Sequence, residues 1–249
     1  MADALLEVRN LVKSFGGVVP NNDVCIDVPY GKIFGLIGPN GSGKTTLFNS
    51  IAGQHRIDRG SVRFDGQELS SLGPAQIARL GLGRTFQDAH VYHGMSCMQN
   101  MQISMSHARD GLLDYLRRSP REVDDKAIGL LDYVGLHDKR EMAAGDLSFG
   151  QRKLLEFGMA LMCEPKLLLL DEPTAGVSPA LIPMIVERLN RTNAEFGIAL
   201  LIIEHNMDVI MDLAERICCL SHGRVLAEGK PAEIRSHQRV IEAYRGAPA

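Results

Sequence analysis

The run GPNGSGKT at positions 38–45 constrains this chain more than any other feature. It fits the spacing G-x-x-x-x-G-K-[ST]. A short apolar run reading as a strand, KIFGLIG (32–38), precedes it, and a helical pattern from Gly43 to about Gly53 follows. In such a strand–loop–helix unit, backbone N–H groups converge on phosphate oxygens and the helix N-terminus favours negative charge. Gly38, Pro39, Asn40, Gly41, Ser42, Gly43, Lys44, Thr45 and Thr46 are therefore the expected nucleotide-binding loop. Lys44 is expected to reach the β- and γ-phosphates, and the Thr45 hydroxyl to bind Mg²⁺. A glycine-rich turn with a solvated lysine would need neither the full match nor its strand-and-helix context.

LLLLDEP (167–173) reads as the second half of the same site. Four apolar residues bury a strand, and two carboxyl groups follow at its C-terminal end, where open α/β sheets bind their ligands. Asp171 is expected in the Mg²⁺ shell and Glu172 beside the attacking water. Alone, a strand ending in Asp-Glu-Pro is a strand leaving the core; beside a phosphate loop it points to hydrolysis.

The rest of the chain places this pair in an α/β fold. LLEVRNL (5–11) and VCIDVP (24–29) partly alternate as strands, and SVRFDG closes on Asp65-Gly66. From roughly 90 to 163 helical patterns dominate, with breaks at Gly111, Pro120 and Gly135. After Pro165 strands and helices alternate again, which implies a parallel sheet covered on both faces with the helical stretch inserted into it. The residues RGAPA at the end are expected to fray.

Composition removes several function classes. At 249 residues and 45% hydrophobic, the chain can bury a full core. A net charge of −3 and the absence of Trp argue against nucleic acid. Cys25, Cys97, Cys163, Cys218 and Cys219 lack zinc-ligand spacing; Cys218 and Cys219, in an apolar strand pattern, are expected to be buried free thiols, and the usage fits a reducing cytoplasm. No secretory pattern opens the chain, and runs such as IALLII (198–203) are too short to cross a bilayer. A membrane role would need a separate membrane partner.

LSFGQ at 147–151 is a third motif, and alone it is a capping box, with Ser148 as cap and Gln151 reaching back. That explains neither Gly150, which a helix start does not need, nor Phe149. A close approach of phosphate to the backbone would explain the glycine.

With GPNGSGKT, LSFGQ and LLLLDEP in this order, nearly the whole chain resembles the nucleotide-binding subunits of ABC transporters. The resemblance implies a P-loop NTPase of the ABC type: a mixed sheet core, an N-terminal antiparallel β region and an inserted helical subdomain. Residues 1–249 would form one nucleotide-binding domain, with a RecA-like core at about 1–89 and 164–249 and the helical subdomain at about 90–163. It also implies an adenine-stacking role for Phe15, a glutamine-loop role at the metal for Gln87, and a switch-histidine role for His205 beside Glu172 in catalysis. Ser148, Phe149, Gly150 and Gln151 would contact ATP bound by a partner subunit.

Two positions depart from the family pattern. Ser178 stands where the loop after the second motif usually has Asp, and Ser178-Pro179 also reads as the start of the next helix. Phe149 replaces a glycine. An aromatic there is familiar in the branched-chain (hydrophobic) amino-acid importer branch, which GRTFQ, GRVLAEGKPAEI and RVIEAYRG also resemble. The resemblance implies an ATPase that uses ATP and Mg²⁺ at the cytoplasmic face of the inner (plasma) membrane. Its partners would be a second ABC ATPase subunit, two permease subunits and, indirectly, a periplasmic or extracellular binding protein. A urea or amide importer, a lipid or lipopolysaccharide exporter and a soluble ABC ATPase share the core motifs.

Overall fold

The structure is a computed structural model that describes residues 4–85, 90–108 and 120–245. Two sheets carry the fold. The first is antiparallel, ordered β2-β1-β4-β5, from β1 (Ala4–Phe15), β2 (Val18–Pro29), β4 (Arg59–Phe64) and β5 (Gln67–Glu68). Asp65 and Gly66, both at positive φ, form the two-residue turn between β4 and β5 that their sequence predicts.

The second sheet has the order β10-β9-β3-β8-β7-β6. It consists of β3 (Ile33–Ile37), β6 (Leu82–Arg84), β7 (Leu167–Asp171), β8 (Ala199–Ile203), β9 (Arg216–Ser221) and β10 (Arg224–Gly229). All its pairs are parallel except β9 with β10, so the sheet is mixed. Alternate residues of its central strands serve two different cores. Phe34, Leu36, Leu169, Leu201 and Ile203 face the first sheet, with helix α1 (Lys44–Ile51) between them. Leu47, Phe48 and Ile51 of α1 are fully buried there. Ile37, Leu168, Leu170, Leu200 and Ile202 face the other way. Continuous apolar strands are what burial on both faces requires.

That second core is shared with the helices between β6 and β7: α3 (Cys97–Ala108), α4 (Pro120–Tyr133) and α5 (Phe149–Met162). A short helix α2 (Pro74–Arg79) precedes β6. Met101, Leu131, Val134, Leu155 and Phe157 pack in one cluster with residues of the sheet. Pro120 opens α4 rather than breaking it, since a first-turn proline loses no helical hydrogen bond. Gly135, at φ +75°, follows the end of that helix, and Gly111 lies outside the described residues.

After β7 come α6 (Ile182–Phe196), α7 (Met207–Leu213), α8 (Pro231–Ser236) and α9 (Gln238–Arg245). Cys218 and Cys219 are buried free thiols in β9, as expected; burial pushes Cys219 up to about 11. No described helix is long and apolar enough to cross a membrane.

Candidate active site

Parallel pairing brings three loops to one edge of the sheet. Leu36 of β3 pairs with Ile203 of β8, and Asp171 of β7 pairs with the same Ile203. The phosphate loop, the Glu172 segment and the His205 segment therefore leave the sheet side by side. This is the C-terminal edge, where α/β sheets bind ligands.

Gly43, at φ +102°, is the N-cap of α1, and the loop folds so tightly that a side chain there is excluded. A Cβ would sit 1.9 Å from the Pro20 carbonyl oxygen of β2. Asn21 Nδ2 donates to the Gly43 carbonyl at 3.0 Å, which ties the β1–β2 hairpin to the loop. Phe15 pairs with Val18 at that hairpin's end, and its ring is 45% exposed. It meets the His55 ring edge-on at 5.1 Å, with Lys13 Nζ 4.9 Å from its centroid. Phe15 is thus not a core residue, and much of it faces solvent.

Lys44 is buried and donates to the carbonyl oxygens of Gly38 at 2.7 Å and Pro39 at 3.1 Å. Burial lowers its pKa, while Glu172 and Asp171 pull it back up. Ser42 Oγ is buried in the same loop without a hydrogen-bond partner among the described residues, an arrangement that fits a phosphate oxygen as acceptor. Asp171 is buried 3.7 Å from Arg84. Burial raises its pKa, and Arg84, Lys44 and Lys153 oppose the rise. Asp171 and the exposed Thr45 offer the hard oxygens that Mg²⁺ prefers. Among the described residues no cluster of His, Cys, Asp or Glu could hold a metal alone, so phosphate and water oxygens would complete its shell.

Glu172 and His205 meet: Oε1 and Nε2 are 3.0 Å apart. The strands bring their loops together: Glu172 directly follows, and His205 lies two residues beyond, the Asp171–Ile203 pair. Glu172 sits at φ +51°, a left-handed conformation that costs a non-glycine residue about 1–3 kcal/mol. Its N–H donates to the Ile203 carbonyl at 2.9 Å, and its carbonyl accepts from Lys153 Nζ at 2.6 Å. Lys153 belongs to α5 and is itself buried, which lowers its pKa.

Ser148 and Gln151 form the expected capping box: Gln151 N donates to Ser148 Oγ at 3.3 Å, and Ser148 N to Gln151 Oε1 at 3.0 Å. The glycine between them also packs closely inside the chain. A Cβ on Gly150 would lie 2.9 Å from Leu181 Cδ1 and 3.2 Å from Val177 Cγ1. Gly150→Val is therefore expected to cost about 1–3 kcal/mol by overpacking, and Gly150→Ala much less, as measured by urea unfolding. The Phe149 ring is half-buried against Gly176. Lys153 Nζ is 5.5 Å from its centroid. Ser178 does occupy the N-cap position before Pro179, yet its side chain makes no capping bond. Gln87 lies outside the described residues.

Several site residues carry no local signal. Arg84 reaches Asp171 across paired strands. Tyr244 of α9 accepts a hydrogen bond from the Gly38 N–H at 2.7 Å, and burial pushes its hydroxyl up to about 12. The C-terminal helix thus closes onto the start of the phosphate loop.

Residues 21–175 match the family model described as ABC transporter. The chain belongs to the ABC transporter family. Residues 224–244 match a second model, branched-chain amino acid ATP-binding cassette transporter. Similar curated proteins include a probable branched-chain amino acid transport ATP-binding protein, LivG, of Archaeoglobus fulgidus, 36% identical over 98% of this chain and 96% of its own. BraF of Pseudomonas aeruginosa, a high-affinity branched-chain amino acid transport ATP-binding protein, is 35% identical over 99% of both chains. Among solved structures, a nucleotide-free ATP-binding cassette from an ABC transporter superposes with a TM-score of 0.87, at 33% identity over 97% of this chain and 99% of that one. A cassette in its ADP conformation gives 0.84 at 32% identity, over 98% and 99%. The ABC cassette fold expected from the motif order is thus the fold observed.

Proposed function

We propose that this chain is the ATP-hydrolysing subunit of an ABC importer for branched-chain amino acids. The 3.0 Å Glu172–His205 pair, at the edge that also bears the phosphate loop, carries the hydrolytic part of this reading. The amino-acid part draws on the full-length relatives and on the C-terminal match at 224–244.

In the proposed mechanism the phosphate loop, Gly38 to Thr46, binds the triphosphate of ATP, and Phe15 stacks on the adenine. Lys44 carries positive charge against the β- and γ-phosphates. Thr45, Asp171 and Gln87 would hold Mg²⁺, which when bound neutralises phosphate charge. Glu172 accepts the proton of the attacking water and His205 holds the Glu172 carboxyl in place beside the γ-phosphate. Ser148 to Gln151 act on ATP bound by a second ABC subunit, and Ser178 lies in the loop between the two sites. The core at about 1–89 and 164–249 would hold the nucleotide, and the helical part at about 90–163 would meet the permeases. The chain would sit at the cytoplasmic membrane face, bound to two permeases that a solute-binding protein supplies.

The complex captured from membranes through a tag on this chain tests the proposal. Two permeases and a second ATPase chain are expected to copurify, and leucine-loaded binding protein should raise ATP hydrolysis several-fold. Stimulation by urea, amides or lipid instead, with none by leucine, isoleucine or valine, would overturn the amino-acid assignment.

A further inference from the structure

The ladder between β7 and β8 ends at the Asp171–Ile203 pair, yet the two segments beyond it must stay side by side for Glu172 to meet His205. One side chain spans them. Glu204 is 2% exposed, and its two carboxyl oxygens divide between the loops. Oε1 accepts from Thr174 N at 3.0 Å and from the Thr174 hydroxyl. Oε2 accepts from His205 N at 2.8 Å and Asn206 N at 3.0 Å. Asn206 in turn caps α7 through Asp208 N and Val209 N.

We infer that Glu204 is a positioning residue for hydrolysis: its carboxyl group replaces the missing strand pairing and holds the Glu172 loop against the His205 loop. The inference rests on the catalytic reading of Glu172 and His205 above. Only a side chain with acceptors on both sides fits the bracket. An amide presents one oxygen, so its NH2 would face either the Thr174 donors or the His205 and Asn206 donors. One loop is then released, and a displacement of about 1 Å at reacting groups can lower a rate about 100-fold. The phosphate loop hangs from β3 and is not held by this bracket, so nucleotide affinity should not change with it.

The test compares Glu204→Gln, Thr174→Val, His205→Ala, the Glu204→Gln/His205→Ala double variant and Glu172→Gln in the complex isolated from membranes. Single-turnover MgATP hydrolysis and MgATP affinity are both measured. Glu204→Gln is expected to lower the rate at least about tenfold with affinity within about twofold. Thr174→Val, which keeps the backbone donor and loses the hydroxyl, should show the same split to a smaller degree. It serves as the test if Glu204→Gln does not fold. In the double variant the losses should not multiply, because both changes disable one unit. A merely structural role would leave the rate per folded molecule unchanged or make the losses multiply, and either result overturns the inference. If Glu172→Gln is inactive while Glu204→Gln, or Thr174→Val in its stead, turns over like wild type, the positioning role fails alone. A fully active Glu172→Gln would overturn the catalytic reading and the inference with it.

Discussion

Glu172→Gln is expected to lower MgATP hydrolysis at least about 100-fold while MgATP affinity stays within about twofold. The amide keeps the size of the side chain but cannot accept a proton from water. The backbone of residue 172 is held by its N–H on Ile203 and by its carbonyl under Lys153. Neither depends on the carboxyl group, so the left-handed conformation at φ +51° should persist in the variant. The phosphate loop hangs from a different strand and keeps its own brace through Lys44. Rapid-quench hydrolysis and equilibrium binding of a fluorescent ATP analogue separate the two quantities.

Lys44→Ala should act on the opposite quantity. Its ammonium group is held between the Gly38 and Pro39 carbonyl groups and pays a desolvation penalty, which lowers its pKa. A cation kept buried at such a position is poised for an anion. Truncation removes the charge and the brace together, and MgATP affinity is expected to fall about 100-fold, equivalent to about 2.7 kcal/mol. Circular dichroism should be unchanged, since Leu47, Phe48 and Ile51 anchor α1 independently of the lysine.

What could be read from sequence follows from range. The phosphate loop is eight consecutive residues between a strand and a helix, and the structure places it at β3 and α1. The Asp65-Gly66 turn and the Ser148–Gln151 capping box are equally local. Glu172 was readable in LLLLDEP beside the phosphate loop, whereas His205 needed the family resemblance, because the contact between them depends on β7 and β8 lying side by side. Arg84, Lys153, Glu204 and Tyr244 gave no signal. Each is an ordinary residue in its own segment, and its role comes from a partner elsewhere in the chain, as with Tyr244 on Gly38. Gly150 shows the opposite limit. Its oddness in a helix start was visible, but the Val177 and Leu181 side chains that pack against it come from another segment. The family pattern assigns it to a phosphate, and packing against those two side chains is a second reason for a small residue there.

The most direct measurement is uptake of radiolabelled leucine into proteoliposomes that hold the complete transporter, with the binding protein on the solute side and ATP on the side of this chain. The account predicts leucine accumulation that requires MgATP and is lost, along with hydrolysis, when Glu172→Gln replaces the wild-type chain. Accumulation that persists with Glu172→Gln, or ATP hydrolysis with no uptake of any branched-chain amino acid, would contradict it.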